Sequence, residues 1–350
     1  VSDFFRGRRV LVTGHTGFKG SWLSLWLAER GAQVTGFSLA PPTSPSLFVQ
    51  ANVAARLDSI EGDVRDLAAL ERAFSRANPE IVLHLAAQPL VRASYADPVE
   101  TYSTNVMGTV HVLECVRKSK GVLATVVVTS DKCYENREWI WGYRECDALG
   151  GHDPYSSSKG CAEIVASAYS RSFFGSSRLA TARAGNVIGG GDWAADRLLP
   201  DLARAAASGV PARIRSPRSV RPWQHVIEAL HGYLLLAERL VNEPERFATP
   251  YNFGPPAADM RSVGEVLELW SKHWPGESHW VLDAADHVHE ARLLALDSTK
   301  AQRELSWHPR LGTETAVRWT ADWYRAVAAG ADPYALCVEQ IQSFVSGNAS

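Results

Sequence analysis

The sequence is poor in sulfur, with five cysteines and two methionines in 350 residues. Cys115, Cys133, Cys146, Cys161 and Cys337 are too few and too scattered for a disulfide framework or the paired spacing of a zinc site. They read as reduced, mostly buried thiols. His287 and His289, two residues apart and without partners, add no metal site, so none is expected. Excess positive charge is missing too. The 36 Lys and Arg stand against 38 Asp and Glu, for a formal net charge of -2. That excludes a nucleic-acid binder working by broad phosphate neutralisation, though not a few arginines around a small anion. No apolar run reaches the ~20 residues of a membrane span. Val1-Ser2-Asp3 leads into a strand pattern without the basic and apolar segments of a leader, so the expected location is cytoplasmic.

What is present is an alternation. Arg9–Thr13 is a short β-branched run ending at glycine, and Ser21–Arg30 has helical apolar spacing stopped by Gly31. Gln33–Phe37 then reads as a second strand. Further strands are expected at Ile81–Ala87 and Ala124–Thr129, with helices over Leu67–Arg76 and Asn105–Ser119. Strands alternating with helices predict an α/β protein with a Rossmann-type, doubly wound parallel sheet, because parallel neighbours need crossover connections. From about Gly189 the segments shorten and gain Pro, Arg and Trp. The expected organisation is a dinucleotide-binding domain over 1–189, rejoined by 223–249. A smaller substrate lobe takes 190–222 and 250–310, and C-terminal helices and a tail take 311–350.

Gly14, Gly17 and Gly20 form a Gly-x-x-Gly-x-x-Gly turn between the first strand and helix. Glycine lets the chain turn sharply and lets backbone N–H groups approach a pyrophosphate, which a helix N-terminus also favours. Lys19 in this turn faces either a phosphate or solvent. Asp63 is either an acceptor for an adenine amino group or a helix N-cap. The second strand ends in Phe37-Ser38-Leu39-Ala40, with neither the acid that reads a ribose nor an arginine for a 2′-phosphate, so this position does not choose between NAD and NADP.

Tyr155 and Lys159 are four residues apart and share a face if helical, and Pro154 suits the helix start. An ammonium beside a phenol favours phenolate, making Tyr155 a candidate base. Ser130 at the end of an expected strand adds a hydrogen-bond donor.

Taken together, Thr13–Gly20, His84–Gln88, Asn105–Thr109 and Tyr155–Lys159 resemble the extended short-chain dehydrogenases/reductases, the NAD-dependent epimerase/dehydratase family, over about residues 8–325. Thr129–Tyr134, Gly185–Trp193, Arg221–Val226 and His289–Leu293 are similar to its branch of nucleotide-sugar 4,6-dehydratases, those that act on CDP-glucose in particular. The resemblance implies Ser130, Asp131, Lys132, Tyr155 and Lys159 as catalytic residues. It implies an NAD site built from Gly14, His15, Thr16, Gly17, Phe18, Lys19, Gly20, Asp63, Val64, Leu85, Ala86, Ala87, Gln88, Asn105, Tyr155, Lys159 and Val187. Substrate contacts would come from Arg92, Ser130, Asn186, Arg197, Arg215, Arg221 and Arg292. Where relatives acting on dTDP-glucose carry an Asp-Glu pair, this chain has Asp131-Lys132, as the CDP-glucose type does. A homodimer or homotetramer is also implied, with contacts beside the Asn105 and Tyr155 segments. The competing readings are another nucleotide-sugar dehydratase or epimerase on the same fold, and a non-catalytic dinucleotide sensor that would have no need of Tyr155, Lys159 and Ser130.

Overall fold

The computed structural model describes residues 3–274, 280–283 and 293–347. Seven strands form one parallel sheet: β1 Arg9–Thr13, β2 Gln33–Ser38, β3 Asp58–Glu61, β4 Ile81–His84, β5 Ala124–Val128, β6 Leu179–Ala184 and β7 Tyr251–Phe253. Their spatial order is β7-β6-β5-β4-β1-β2-β3. The chain therefore moves outward from β1 to β3, returns to lay β4 against the other edge of β1, and continues outward to β7. Val10 pairs with both Val34 of β2 and Ile81 of β4. The reversal between β1 and β4 opens a crevice at the carboxyl ends of the strands, where ligands of such sheets bind.

Alternate residues of the central strands feed two separate cores. Val10, Val12, Ile81, Leu83, Ala124 and Val126 join one, and Leu11, Val82 and Val127 the other. Burial on both faces is why these strands read as continuous apolar runs. The second face is covered by helices α2 Leu67–Ala77, α3 Gly108–Lys118 and α4 Pro154–Phe173. On the first lie α1 Phe18–Glu29 and, after α5 Leu198–Ser208, helix α6 Val226–Asn242. Three more helices complete the chain: α7 Val263–His273, α8 Thr313–Ala328 and α9 Pro333–Ser346. Helix α1 is buried from Gly20 through Leu27 because α6 and α9 pack over its outer side.

Local chemistry sets the helix starts. Asp66 caps α2 and Asp153 caps α4, each carboxylate accepting a backbone N–H of the first turn. Ser262 and Glu265 form a reciprocal capping box on α7. Helix α3 is entered through a π-turn over Ser103–Met107, so regular helix starts at Gly108, later than the Asn105 expected.

Segments after β6 do come together outside the sheet. Ala212–Ile214 pairs with Trp280–Leu282, and Val220–Arg221 with Arg261–Ser262. The expected lobe boundary at 250 needs correction, however. Tyr251–Phe253 is the edge strand of the main sheet, in parallel register with Ala182–Ala184. All three residues are buried there, so the chain re-enters the smaller region only after Phe253. Among the described residues no helix is long and apolar enough to cross a membrane.

Candidate active site

Strand β5 ends at the crevice and hands on to Thr129 and Ser130. Ser130 is extended and caps one turn of 3-10 helix over Asp131–Cys133. Its hydroxyl donates to Asp131 Oδ1 at 2.9 Å and accepts from the Lys132 backbone N–H at 3.2 Å. The same hydroxyl lies close enough to the Tyr155 phenol to pull its pKa down. Helix α4 brings that tyrosine in from the opposite side, with Pro154 at its first position and the Tyr155 N–H donating to Ser94 Oγ at 3.1 Å. Tyr155 and Lys159 both lie buried, one turn apart. The Ser130 hydroxyl thus stands between the Asp131-Lys132 turn and the start of α4.

Burial dominates the electrostatics. It raises the Tyr155 phenol to about 12, against downward pulls led by the Ser130 hydroxyl and the Arg197 guanidinium. Spacing points to Lys159 as the main source of that pull, whereas the leading contributions come from these other two groups. Burial lowers Lys159 to about 8, and Glu163 followed by Cys133 pushes it back up. The Asp131 carboxyl is raised by burial, opposed by Lys132, the Ser130 hydroxyl, Arg221 and Lys19. Its Oδ2 has no hydrogen-bond partner among the described residues. A side chain at Gly185 would meet Pro222 at 2.4 Å and this oxygen at 3.2 Å, so glycine keeps the carboxylate's surroundings open.

The glycine turn lies on the other wall of the crevice. Gly14 has φ +77°, and a Cβ there would stand 2.7 Å from Ala86 N, so the turn rests directly on the chain leaving β4. A Cβ at Gly20 would lie 2.0 Å from the Gly14 carbonyl oxygen. At Gly17 it would meet only that oxygen, at 3.4 Å, and Gly17 starts α1 without a side-chain cap. The result is a helix N-terminus with uncapped donors and backbone open on one side, which fits a dinucleotide pyrophosphate. Lys19 is half-buried in the first turn of α1. Burial, then Arg197 and Lys159, lowers it to about 7, while Asp131 and Asp192 raise it, so charges of the Ser130 cluster act on its ammonium.

Most of the other expected cofactor residues frame this crevice. His15 is buried beneath Gly36 with Nε2 2.8 Å from Ser59 Oγ, and burial lowers it to about 4. The Thr16 hydroxyl meets Ser38 Oγ and the Leu39 carbonyl, both at 2.9 Å, so the end of β2 presents neutral hydroxyls. Asn105 is consumed by scaffolding: its amide bonds Gln88 N and O and Ser158 Oγ, fixing the Leu85–Gln88 loop against α4. Phe18 stands beside Gly189, Val64 packs on Gly108, and Val187 lies in a short strand paired with Gln224–His225. Asp63 is no N-cap, since Asp66 fills that role. Both its oxygens are engaged by Arg65, at 2.8 Å to Arg65 N and 2.8 Å to Nε.

The arginines divide. Arg221 is buried and acts on Asp131, and Arg197 reaches Asp192 at 3.2 Å while acting on Tyr155. Arg92 and Arg215 share the partner Asp196, at 2.8 and 3.7 Å, the first exposed and the second largely buried. Asn186 is half-buried between β6 and Val187, its carbonyl accepting from Gln224 N at 3.0 Å. Arg292, with His287 and His289, lies outside the described residues. Two residues that the sequence reading passes over, Glu163 and Arg183, form a buried ion pair at 2.7 Å behind the cluster. The one available signal was an acid four positions after Lys159.

With this geometry in place, the comparisons acquire a meaning. Residues 11–320 match the GDP-mannose 4,6 dehydratase family. A CDP-glucose 4,6-dehydratase of Salmonella typhimurium is 50% identical, with 98% of each chain covered. Among solved structures, a dTDP-glucose 4,6-dehydratase of Streptomyces venezuelae with NAD and TYD bound superposes with a TM-score of 0.79, at 25% identity over 93% of this chain and 99% of that one. A UDP-glucose 4-epimerase of Thermus thermophilus in complex with NAD gives 0.78, at 25% identity over 91% and 99%.

Proposed function

This chain belongs to the GDP-mannose 4,6 dehydratase family, and from that premise we propose that it is an NAD-dependent hydro-lyase converting CDP-glucose to CDP-4-dehydro-6-deoxyglucose. The observation that carries the reading is the Ser130 hydroxyl, which is bonded to the Asp131-Lys132 turn and acts on the Tyr155 phenol. An epimerase on this fold needs the first group but has no use for an acid and a base aimed at removing a C6 hydroxyl. Half-identity to the Salmonella CDP-glucose enzyme, together with Lys132 after Asp131, supports cytidine diphosphate over other nucleotides.

In this mechanism Tyr155 accepts the proton of the sugar O4, and Ser130 donates a hydrogen bond to the developing C4 carbonyl. NAD, held by the Gly14–Gly20 turn and Lys159, would supply the hydride chemistry, oxidation at C4 and reduction at C6. The ketone acidifies C5, where Lys132 takes the proton and gives it back once hydride has been added at C6. Asp131, which burial favours in its protonated form, supplies a proton to the departing C6 hydroxyl. Lys159 holds the ribose hydroxyls and its positive charge beside Tyr155. Gly14, Gly17 and Gly20 receive the pyrophosphate. Arg221 and Arg197, with Arg92 and Arg215 toward the rim, take the substrate diphosphate, where guanidinium forks suit phosphate oxygens. Oxidation and reduction cancel, leaving loss of water as the net change.

The purified protein is to be incubated with NAD and, in turn, CDP-, UDP-, dTDP- and GDP-sugars, and the product read by its 4-keto absorbance in alkali. Signal with CDP-glucose and no net accumulation of reduced cofactor is the expected result. Signal with a different nucleotide keeps the chemistry and overturns the substrate. Steady cofactor reduction without keto product removes dehydration altogether. Lys132→Met is expected to slow dehydration by about 10²–10⁴-fold while leaving NAD binding intact, with reduced cofactor building up toward one equivalent per site. Undiminished dehydration in that variant would take Lys132 out of the mechanism.

The product is a deoxysugar precursor, whose use we place in lipopolysaccharide synthesis and whose formation we place in the cytoplasm. Self-association is part of the same reading. Val99, Tyr102, Met107 and Ile164 are exposed apolar side chains on the helical segments around Asn105 and Tyr155, the kind of surface a second copy would cover.

A further inference from the structure

Behind the site lies a polar network that the proposed chemistry does not use. Glu163 on α4 and Arg183 on β6 are each 2% exposed. The carboxylate of Glu163 is held at both oxygens. Oε1 accepts from the Thr129 hydroxyl, and Oε2 accepts from Thr181 Oγ1 and from Arg183 Nη2, both at 2.7 Å. Arg183 Nη1 also donates to the Tyr134 hydroxyl at 2.8 Å and the Glu145 carbonyl at 3.2 Å, and Tyr134 passes its own proton to Asn252 Oδ1 at 2.7 Å.

The placement of these groups is informative. Thr129 directly precedes Ser130, Tyr134 follows the Asp131–Cys133 turn, and Glu163 stands one helical turn beyond Lys159 on the same face. Packing alone does not require this arrangement, because apolar residues of similar volume fill such a space at least as favourably as a buried ion pair. A fixed anion next to a buried ammonium, in contrast, does something no apolar residue can.

We propose that Glu163 is a positioning residue whose carboxylate, anchored by Arg183, Thr129 and Thr181, keeps the Lys159 ammonium charged within the buried site. The inference rests on the role given to Lys159 above. The titratable groups about Lys159 are Glu163 and Tyr155 on its own helix, one turn to either side, Cys133 from the turn after β5, His84 from β4 and Lys19 from the start of α1. Burial pushes the Cys133 thiol well above its ordinary value and lowers His84 to about 3, so both are neutral near pH 7. Lys19 repels the Lys159 charge. Glu163 is thus the anion that offsets burial, and with it Lys159 sits at about 8. Its charged form exists below that value and is lost as pH rises through it. Removing Glu163 moves the loss to lower pH, by about 1–2 units for a close opposite charge.

The test is the pH profile of kcat/KM for the holoenzyme in three variants, each checked for fold by circular dichroism. Glu163→Gln leaves a buried guanidinium uncompensated and risks the fold. Glu163→Gln/Arg183→Met replaces the pair with neutral groups and keeps the measurement readable. Arg183→Met retains the Glu163 charge. The expected result is an alkaline limb displaced downward in the double variant, so that its deficit at pH 8 exceeds its deficit at pH 6 by about five- to twentyfold, with no downward displacement in Arg183→Met. A purely structural network predicts the same deficit at every pH, or the same displacement in all variants, and either outcome overturns the proposal. Lys159→Met is the control for the underlying reading. If that variant is fully active, the role of Lys159 fails, and it fails independently of where the limb lies in the Glu163 variants.

Discussion

Tyr155→Phe is expected to lower kcat for dehydration by about 10²–10⁴-fold, the usual worth of a positioned general base, while fold and NAD binding persist. The substitution removes one oxygen from a ring that is 8% exposed and leaves the ring's packing in place. Its backbone N–H still reaches Ser94 Oγ, so the start of α4 is not disturbed. The Ser130 hydroxyl keeps Asp131 as its acceptor, so the turn after β5 is undisturbed. The catalytic loss has another origin. In the free protein burial holds the phenol at about 12, so near pH 7 it becomes a base only as positive charge gathers around it. Ser130 and Arg197 begin that work, and charged Lys159 and the oxidised nicotinamide complete it in the proposed complex. A base must be deprotonated to act, so the wild-type rate rises with pH through the phenol's pKa in the complex. The residual rate of Tyr155→Phe should have lost that acidic limb. Steady-state kcat against pH for the two proteins checks both points, and a variant of full activity would remove Tyr155 from the reaction.

The extent to which the sequence discloses this site follows from how its residues are brought together. The sheet was legible because burial on two faces writes itself into runs such as Ile81-Val82-Leu83 and Ala124–Val128. The turn at Gly14 and Gly20 was legible because steric demand selects one residue type, as the contacts that a Cβ would make there show. Strand β7 escaped notice for the converse reason. Three residues with a buried Asn252 in the middle carry no periodicity, and that asparagine is satisfied by Tyr134, Glu145, Tyr143 and Asp297 from distant segments. Lys19 illustrates a second limit. Its place in the motif was plain, but the charges that act on its ammonium come from Arg197, Asp131 and Asp192, far away in sequence. For Asp63 the N-cap alternative fails because Asp66, three positions on, fills that role, while Arg65 orients the Asp63 carboxylate. The Glu163–Arg183 pair is the clearest case. The two charges lie on a helix and a strand, and only the packing of α4 against β6 shows that each neutralises the other.

That pair also sets the largest expected effect on stability. Arg183→Met should destabilise the NAD-free protein by about 3–5 kcal/mol, the cost typical of leaving one member of a buried ion pair without its partner. Three donors vanish at once: the guanidinium contacts to Glu163, to the Tyr134 hydroxyl and to the Glu145 carbonyl. Tyr134 is the least affected, since its own proton still reaches Asn252. Glu163 retains the two threonine hydroxyls, but these are neutral dipoles and cannot replace a cation at 2.7 Å in a site that water does not reach. Removing the second charge reverses most of the damage. In Glu163→Gln/Arg183→Met no buried charge remains, and an amide can still bond Thr129 and Thr181. The double variant is therefore expected to be more stable than Arg183→Met alone, and the two single losses to exceed the double loss by several kcal/mol. Equilibrium urea unfolding of the four proteins measures this coupling directly. A loss below about 1 kcal/mol in Arg183→Met, the range of solvent-exposed pairs, would mean that water enters behind the catalytic turn. The network could then no longer serve as the low-dielectric setting in which Glu163 acts on Lys159.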